Sequence, residues 1–404
     1  MAELKGIAYL RNKLNTKTAR VELRYQHYEM KHKAKDLRIS TPPQLIYMTE
    51  TLGWCAKAVD CLADRLVFRE FRNDNFDLNS IFQMNNPDVL FDSAILSALI
   101  SSCCFIYISP DENGYPRLQV IDGRSATGEL DPITGLLTEG YAVLQRNSDD
   151  QPIMEAYFEP GRITYLKNGE IYMVLNHQVP YPLLVPIIFR PDEKRPFGHS
   201  RISRACMSIV DAALRTVKRS EISAEFYSFP QRYVTNLAQD HDDMDSWRAA
   251  MSAMLMFEKD SEGEHPIPGQ FNQGSMQPHI DQFRMFAAQF AGETGLTMDD
   301  LGFPTENPSS SEAIKAAHEN LRLIARKAQR TFGTGFLNAG MLAACLRDQY
   351  GFQRRVFYET KAVWEPVFEP DASMLAGIGD AIYKLNQAVP GYVDDEKMKD
   401  MTGF

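Results

Sequence analysis

A chain of 404 residues, 44 % apolar and 24 % charged, has the composition of a folded soluble protein and is long enough for two or three domains. No apolar run reaches the roughly 18 residues of a membrane helix, and the opening MAELKGIAYLRNKL has no apolar signal core, so a membrane partner is not expected and synthesis in a cytoplasm is. The formal charge of -10 argues against a high-affinity DNA binder, although residues 1–39 hold ten Lys/Arg against four Asp/Glu while residues 365–404 hold three against eight.

Residues 1–39 read as helix, with Leu10, Leu14, Val21, Tyr25 and Tyr28 on one side, ended by Pro42-Pro43. A second helical pattern spans 45–66 through Met48, Leu52, Cys55, Val59 and Leu62, and a third, 87–101, is apolar on most sides and so buried. From Cys103 the period becomes that of strands. Runs at 105–108, 117–121, 141–145, 153–158, 163–166 and 171–175 are separated by turns at 111–114 and 131–135 and by Asn168-Gly169, a specific hairpin signal. The first 195 residues are thus α+β, helices first and then an antiparallel sheet.

Between Pro196 and Pro230 the apolar residues Ile202, Cys206, Ile209, Ala213, Val217 and Phe226 recur at helical spacing, which allows a helix of about 28 residues, or roughly 42 Å. Its other face is basic: Arg201, Arg204, Arg215, Lys218 and Arg219. Residues 231–277 then form a small acidic insertion, eight acids against three bases, with strand-like pieces at 232–235 and 254–257 and a helix around Trp247. Helical pattern returns at 278–294. After a loop at 298–308, Ser309 and Glu312 form a capping box that opens the longest helix, in which Gly333, Gly335 and Gly340 suggest a kink or break. A helix at 374–388 and a short acidic one close the chain.

The six cysteines form no C-x-x-C pair and sit in apolar patterns, as free buried thiols do. There is no G-x-x-x-x-G-K-S/T phosphate cradle and no H-E-x-x-H, and the histidines lack zinc spacing; His318 reads as a surface or interface residue. Residues 198–202 begin like a nucleophile elbow but lack the closing glycine. The acidic run Asp240 to Asp245 lacks the glycine and the twelfth-position glutamate of a calcium loop. The chain therefore reads as a structural protein and not an enzyme, with no catalytic, cofactor-binding or metal-binding residues. The alternative is a nucleic-acid-processing enzyme that uses the acidic run as an unrecognised metal site.

Several local patterns, in order, resemble the portal proteins of tailed bacteriophages, in the group of siphophages of Gram-positive hosts. Residues 25–30, YQHYEM, resemble a tyrosine-rich YYEG with Met30 in the glycine position, and Val59 to Leu66 is similar to the family's helix at that point. Val185-Pro186-Ile187-Ile188-Phe189 followed by Gly198-His199-Ser200-Arg201-Ile202 resembles the G-x-S-x-I entry into a stem helix, and Phe229-Pro230-Gln231-Arg232 its exit. Leu301-Gly302, Asn307 with Ser311 to Ile314, Trp364-Glu365-Pro366 and Ala381 to Leu385 continue the match.

The resemblance implies a portal-type α+β fold: a wing of helices and antiparallel sheet at 1–199, a first stem helix at 200–230, and a small α/β clip at 231–277. A second stem helix at 278–297, a tunnel loop at 298–308, a long kinked wing helix at 309–350 and a helical C-terminal crown at 351–404 complete it. It implies a homo-oligomeric ring, usually a dodecamer, at one capsid vertex of the virion, assembled in the host cytoplasm. Double-stranded DNA would pass through without sequence specificity during packaging and ejection. The terminase large subunit and then a head-completion adaptor would dock at the clip, through Arg232, Trp247 and Arg248; major capsid and scaffolding proteins are further partners. Asp299, Asp300, Thr305, Glu306 and Asn307 would line the channel, and Arg215, Lys218 and Arg219 would form either weak phosphate contacts or an intersubunit salt-bridge row.

Overall fold

The computed structural model describes residues 4–37, 41–228, 232–235, 267–270, 274–304, 316–368, 372–395 and 397–398. The chain divides into two units, one of residues 1–32, 53–207 and 292–404, the other of residues 33–52 and 208–291. The mixture of helix and antiparallel sheet expected from the sequence is present.

The first unit opens with α1 (Ile7–Tyr28), α2 (Trp54–Ala63), β1 (Phe68–Arg72), α3 (Leu78–Gln83) and α4 (Pro87–Ser101). Strands follow: β2 (Cys103–Pro110), β3 (Pro116–Ile121), β4 (Ala126–Leu130), β5 (Leu137–Arg146), β6 (Pro152–Glu159), β7 (Arg162–Lys167), β8 (Glu170–Asn176) and β9 (Leu184–Ile188). They form two antiparallel sheets and not the single one expected, a three-stranded β3-β2-β9 and a five-stranded β4-β5-β6-β7-β8. The buried hydroxyls of Tyr107 and Tyr165 join one sheet to the other at 2.6 Å. Strands β4 and β9 escape the sequence pattern because Gly128 interrupts one and Pro186 the other.

Strand β2 is buried at six consecutive positions, which is why its sequence, CCFIYI, does not alternate. Helix α4 packs against it and, as its all-round apolarity requires, is itself mostly buried. Helix α1 packs Leu10 and Leu14 against Tyr141 and Val143 of the five-stranded sheet and is fixed there by charge. Glu139 on β5 accepts from the backbone N–H groups of Lys5 and Gly6 (2.9 and 3.1 Å), placing a carboxylate at a helix N-terminus that has no acid of its own. Arg11 makes a two-pronged bond to the buried Glu155 of β6, at 2.9 and 2.8 Å. At the far edge, β8 exposes Ile171, Tyr172, Met173 and Val174 in succession.

Two expectations are corrected here. Helix α1 stops at Tyr28, not near residue 39, because Met30 takes φ +58°, the left-handed conformation otherwise suited to the glycine of the resembled pattern. The N–H groups of Glu29 and Lys31 return to Tyr25 and Gln26, closing the helix end. The helix expected over 45–66 is only a 3-10 turn, Pro43–Leu45, followed by α2; Thr49, Thr51 and Gly53 between them are weak helix formers.

The second unit holds most of α5 (Arg204–Ser228), the pair β10 (Arg232–Thr235) and β11 (Ile267–Gln270), and most of α6 (Gln277–Thr294). Helix α5 thus starts at Arg204, eight residues past the Pro196 limit of the sequence pattern, because residues 196–203 are an anchoring turn. Thr216 donates to Gln282 at 3.0 Å and Ser223 lies 3.3 Å from His279, so the two long helices are bonded along their length. Strand β10 is where the sequence places it, and its antiparallel partner β11 was not anticipated. The 254–257 strand and the helix around Trp247 fall outside the described residues.

Back in the first unit, α7 (Glu319–Arg347) runs unbroken through all three glycines, which corrects the expected break. They serve close packing: a Cβ on Gly335 would sit 2.8 Å from Ile187 Cδ1, and one on Gly333 2.9 Å from Ala362 Cβ. The capping box at Ser309 and Glu312 lies outside the described residues. Strand β12 (Lys361–Trp364) pairs with β1, bringing Trp364 to a ring cluster of Phe68, Phe91 and Phe336. Helix α8 (Ala372–Ala388) follows, and no helix of the described residues is long and apolar enough to cross a membrane.

Candidate functional site at the junction of the long helices

The start of α5 and the end of α6 meet in the first unit, in the segment where the sequence carries its G-x-S-x-I pattern. Gly198 has φ +75°, and a Cβ there would lie 2.1 Å from the Phe189 carbonyl, so no other residue fits. His199 N–H then bonds that carbonyl at 2.9 Å. Ser200 donates from Oγ to Ile100 O (2.6 Å) and accepts from Ile202 N–H (2.9 Å), fastening the turn to the end of α4. Ser203 caps α5 by accepting from Cys206 N–H at 3.1 Å and donates to Glu293 on α6 at 2.9 Å.

Arg201 is the centre of this knot. The sequence places it on a basic helix face; in the structure it is buried, 6 % exposed. Its backbone N–H bonds Leu99 O (2.8 Å), Nε bonds Ala58 O in α2 (3.1 Å), and Nη2 bonds Thr294 O, the last residue of α6 (2.5 Å). Among the described residues no carboxylate pairs with it. Burial pulls the guanidinium down to about 10, which leaves it cationic at neutral pH. Its charge faces the negative end of the α6 dipole, where a cation is favoured. Only the position in the G-x-S-x-I pattern signals this role in the sequence.

The loop after α6 begins directly beyond this bond. Gly295 at φ +69° ends the helix and the chain enters a 3-10 turn, Asp299–Leu301, closed by Gly302 at φ +85°. Asp300 Oδ2 accepts from both the N–H and the hydroxyl of Thr297 (2.8 and 2.9 Å), and Thr297 Oγ1 accepts from Asp300 N–H in return (3.2 Å). His318, at the N-terminus of α7, sits 3.8 Å from the same carboxylate. Asp300 is thus turned inward to hold the loop, whereas Asp299 is exposed. Thr305, Glu306 and Asn307 lie outside the described residues.

The other named residues are dispersed. Lys218 Nζ bonds Asp36 at 2.8 Å and Ile46 O at 3.1 Å within its own chain, a pairing that nothing in the sequence signals, and Arg215 and Arg219 flank it half-buried. Arg232 opens β10 opposite Gln270. Trp247, Arg248 and the acidic run 240–245 on which an enzyme reading rests are outside the described residues. All six cysteines are free and buried, as expected. Burial pushes the Cys103 and Cys345 thiols up to about 11, so they stay protonated and unreactive at neutral pH.

The family model described as "Phage portal protein, SPP1 Gp6-like" matches residues 7–348. The portal protein of Mycobacterium phage D29 is 24 % identical over 401 residues, covering 94 % of this chain and 81 % of its own length. That of Mycobacterium phage L5 is 24 % identical over 403 residues with the same coverage. Among solved structures, a chain of the neck of a native gene transfer agent particle, computed with C12 symmetry, aligns with a TM-score of 0.47 at 14 % identity, covering 87 % of this chain and 89 % of that one. The family match runs from the first residue of α1 to just past the end of α7, and by it the chain belongs to the SPP1 Gp6-like phage portal proteins.

Proposed function

We propose that copies of this chain close into a ring, a dodecamer, around a channel at one capsid vertex of the virion, and that double-stranded DNA moves through the channel during packaging and ejection. In this reading residues 1–199 and the long helix after 308 are the wing and α5 and α6 are the stem. Residues 231–277 are then the clip, 298–308 the tunnel loop and 351–404 the crown. The terminase large subunit and then a head-completion adaptor dock at the clip through Arg232, Trp247 and Arg248, and capsid and scaffolding proteins contact the wing. The chain's part is structural, without a catalytic step of its own.

The observation that carries this reading is the loop at 298–304, which leaves α6 at the carbonyl held by Arg201. Two long helices are bonded to each other through Thr216–Gln282 and Ser223–His279, and their ends through Ser203–Glu293. The loop is fixed at its start by the Ser203–Glu293 bond and by Arg201 on Thr294 O. In this reading exposed Asp299 faces the passing DNA, Thr305, Glu306 and Asn307 line the same channel, and Asp300 keeps the loop in shape. A closed ring needs two different complementary surfaces on each copy. The exposed apolar edge of β8 is surface of the kind a neighbour covers. Arg215, Lys218 and Arg219 would make an intersubunit row only beyond the pairing Lys218 already has with Asp36.

Twelve copies at -10 each give a formal -120, and a mostly negative lumen lets a duplex carrying a charge about every 1.7 Å slide without adhering. Electron microscopy of the purified chain, with and without capsid scaffold, tests the proposal. Class averages of a channelled ring of a dozen copies are expected; a small closed dimer under both conditions would overturn it.

A further inference from the structure

A strip of positive charge lies in the first unit of this acidic chain, outside the helices assigned to the stem. Lys13, Lys17, Arg20 and Arg24 follow one another on α1 at spacings of four, three and four residues and therefore share one face. All four line a cleft of about 410 Å³ whose other wall brings Arg195 and Phe197. Lys17 and Lys13 hold their amines over the Phe197 ring, 4.6 and 5.3 Å from its centre.

These cations are nearly unanswered. Glu129 is the one carboxylate lining the cleft, and it is shared by Lys13 and by Lys5. Among the described residues Lys17, Arg20, Arg24 and Arg195 have no carboxylate within ion-pair reach; Arg24 is held by the Ser101 carbonyl at 3.0 Å. Burial, then the neighbouring charges of Lys13 and Arg20, depresses the Lys17 amine below its usual range. Arg24 is depressed by burial and then by Arg20, Arg195 and Arg204. A protein that crowds like charges into a concave site is destabilised by them unless a polyanion enters.

We infer that this cleft binds the phosphate backbone of duplex DNA, without reading its bases. The row on α1 spans about 16 Å, one cation about every 5 Å. That is the order of the about 3.4 Å axial repeat of phosphates along one strand. Guanidinium groups suit phosphate oxygens through their paired N–H donors. That the polyanion is DNA rests on the portal reading above; the chemistry of the cleft by itself specifies a row of oxyanions. The site differs from the lumen in kind, because a lumen must let DNA slide and this cleft would hold it.

The full chain is titrated against a fluorescent random-sequence duplex of about 30 base pairs over a range of salt, alongside the double variant Arg20→Gln/Arg195→Gln. Both side chains are exposed, so the variant should fold, which a thermal melt checks. The expected result is at least about tenfold weaker binding at low salt and a log–log salt slope shallower by about 2. Lys167→Gln, on β7, should change neither. Unchanged affinity and slope in the double variant would overturn the inference. So would loss of binding to a poly-glutamate peptide while duplex binding stays intact, which would assign the cleft to an acidic protein. Micrographs of the same samples separate the two readings. Rings with unchanged DNA binding remove only the cleft, whereas cleft-dependent binding by a chain that never forms rings removes only the portal assembly.

Discussion

The junction at Arg201 and the cleft along α1 handle positive charge in opposite ways. At the junction a single guanidinium is buried and bonded to the carbonyls of Ala58 and Thr294, so the protein itself completes it. Along α1 several cations face one another with one shared carboxylate, so the protein leaves them incomplete. A buried cation bonded to carbonyls of two helices is a fastener, and a half-exposed group of cations without counter-charge is a site awaiting one. Burial alone does not tell the two apart; the inventory of acceptors does.

The sharpest way to break the comparison is to remove the fastener. Arg201→Met keeps volume and deletes the two charge-assisted bonds to Ala58 O and Thr294 O, and should lower stability by about 4 kcal/mol. Urea unfolding measures it, and a loss below about 1 kcal/mol would mean that water replaces the guanidinium there. Gly198→Ala strikes the same turn through the backbone. A Cβ 2.1 Å from a carbonyl oxygen at φ +75° cannot be accommodated without moving Phe189, with an expected loss of about 3 kcal/mol in the same assay.

A smaller effect comes from His177, which resolves the same difficulty by giving up its charge. Burial lowers its pKa below the usual 6.5, while its Nδ1 accepts from Val179 N–H at 3.2 Å. The folded state therefore binds the proton less well than the unfolded one. Stability should fall as pH drops below 6.5 and the unfolded chain takes up the proton, continuing down to the lowered folded pKa. His177→Gln should flatten that limb in melts between pH 7 and pH 5. The smallest effect has the opposite sign. Arg20→Gln relieves repulsion with Arg24 and should raise stability by about 0.3 kcal/mol while weakening DNA binding. A stability gain coupled to a binding loss is what an unfinished site predicts and a fastener does not.

Much of the fold was legible where one period dominates. Helix α4, β10 and the Asn168-Gly169 hairpin fall where periodicity and turn chemistry put them, since each is decided by neighbours in sequence. What escaped depends on distant partners. β1 reads FREFR, with no apolar face of its own, and is a strand because Lys361–Trp364 lies beside it. The α7 glycines read as breakers, but Ile187 and Ala362 need the space they leave. In the site, the family pattern marked the turn at 198–202, but composition could not distinguish buried Arg201 from exposed Arg20. The inward turn of Asp300 depends on Thr297 and His318, which the sequence places near it without indicating which way the carboxylate points.

The six thiols offer a built-in clock. Cys55, Cys61, Cys103, Cys104, Cys206 and Cys345 are distributed over α2, β2, α5 and α7, all are buried, and all belong to the first unit. A thiol reagent can reach each one only when its element opens, so the labelling rate at each cysteine, read by mass spectrometry, ranks the local opening free energies of that unit. The second unit contributes no signal. Labelling would therefore follow the first unit alone, and a ligand that stiffens it would register as slower modification of residues it never touches.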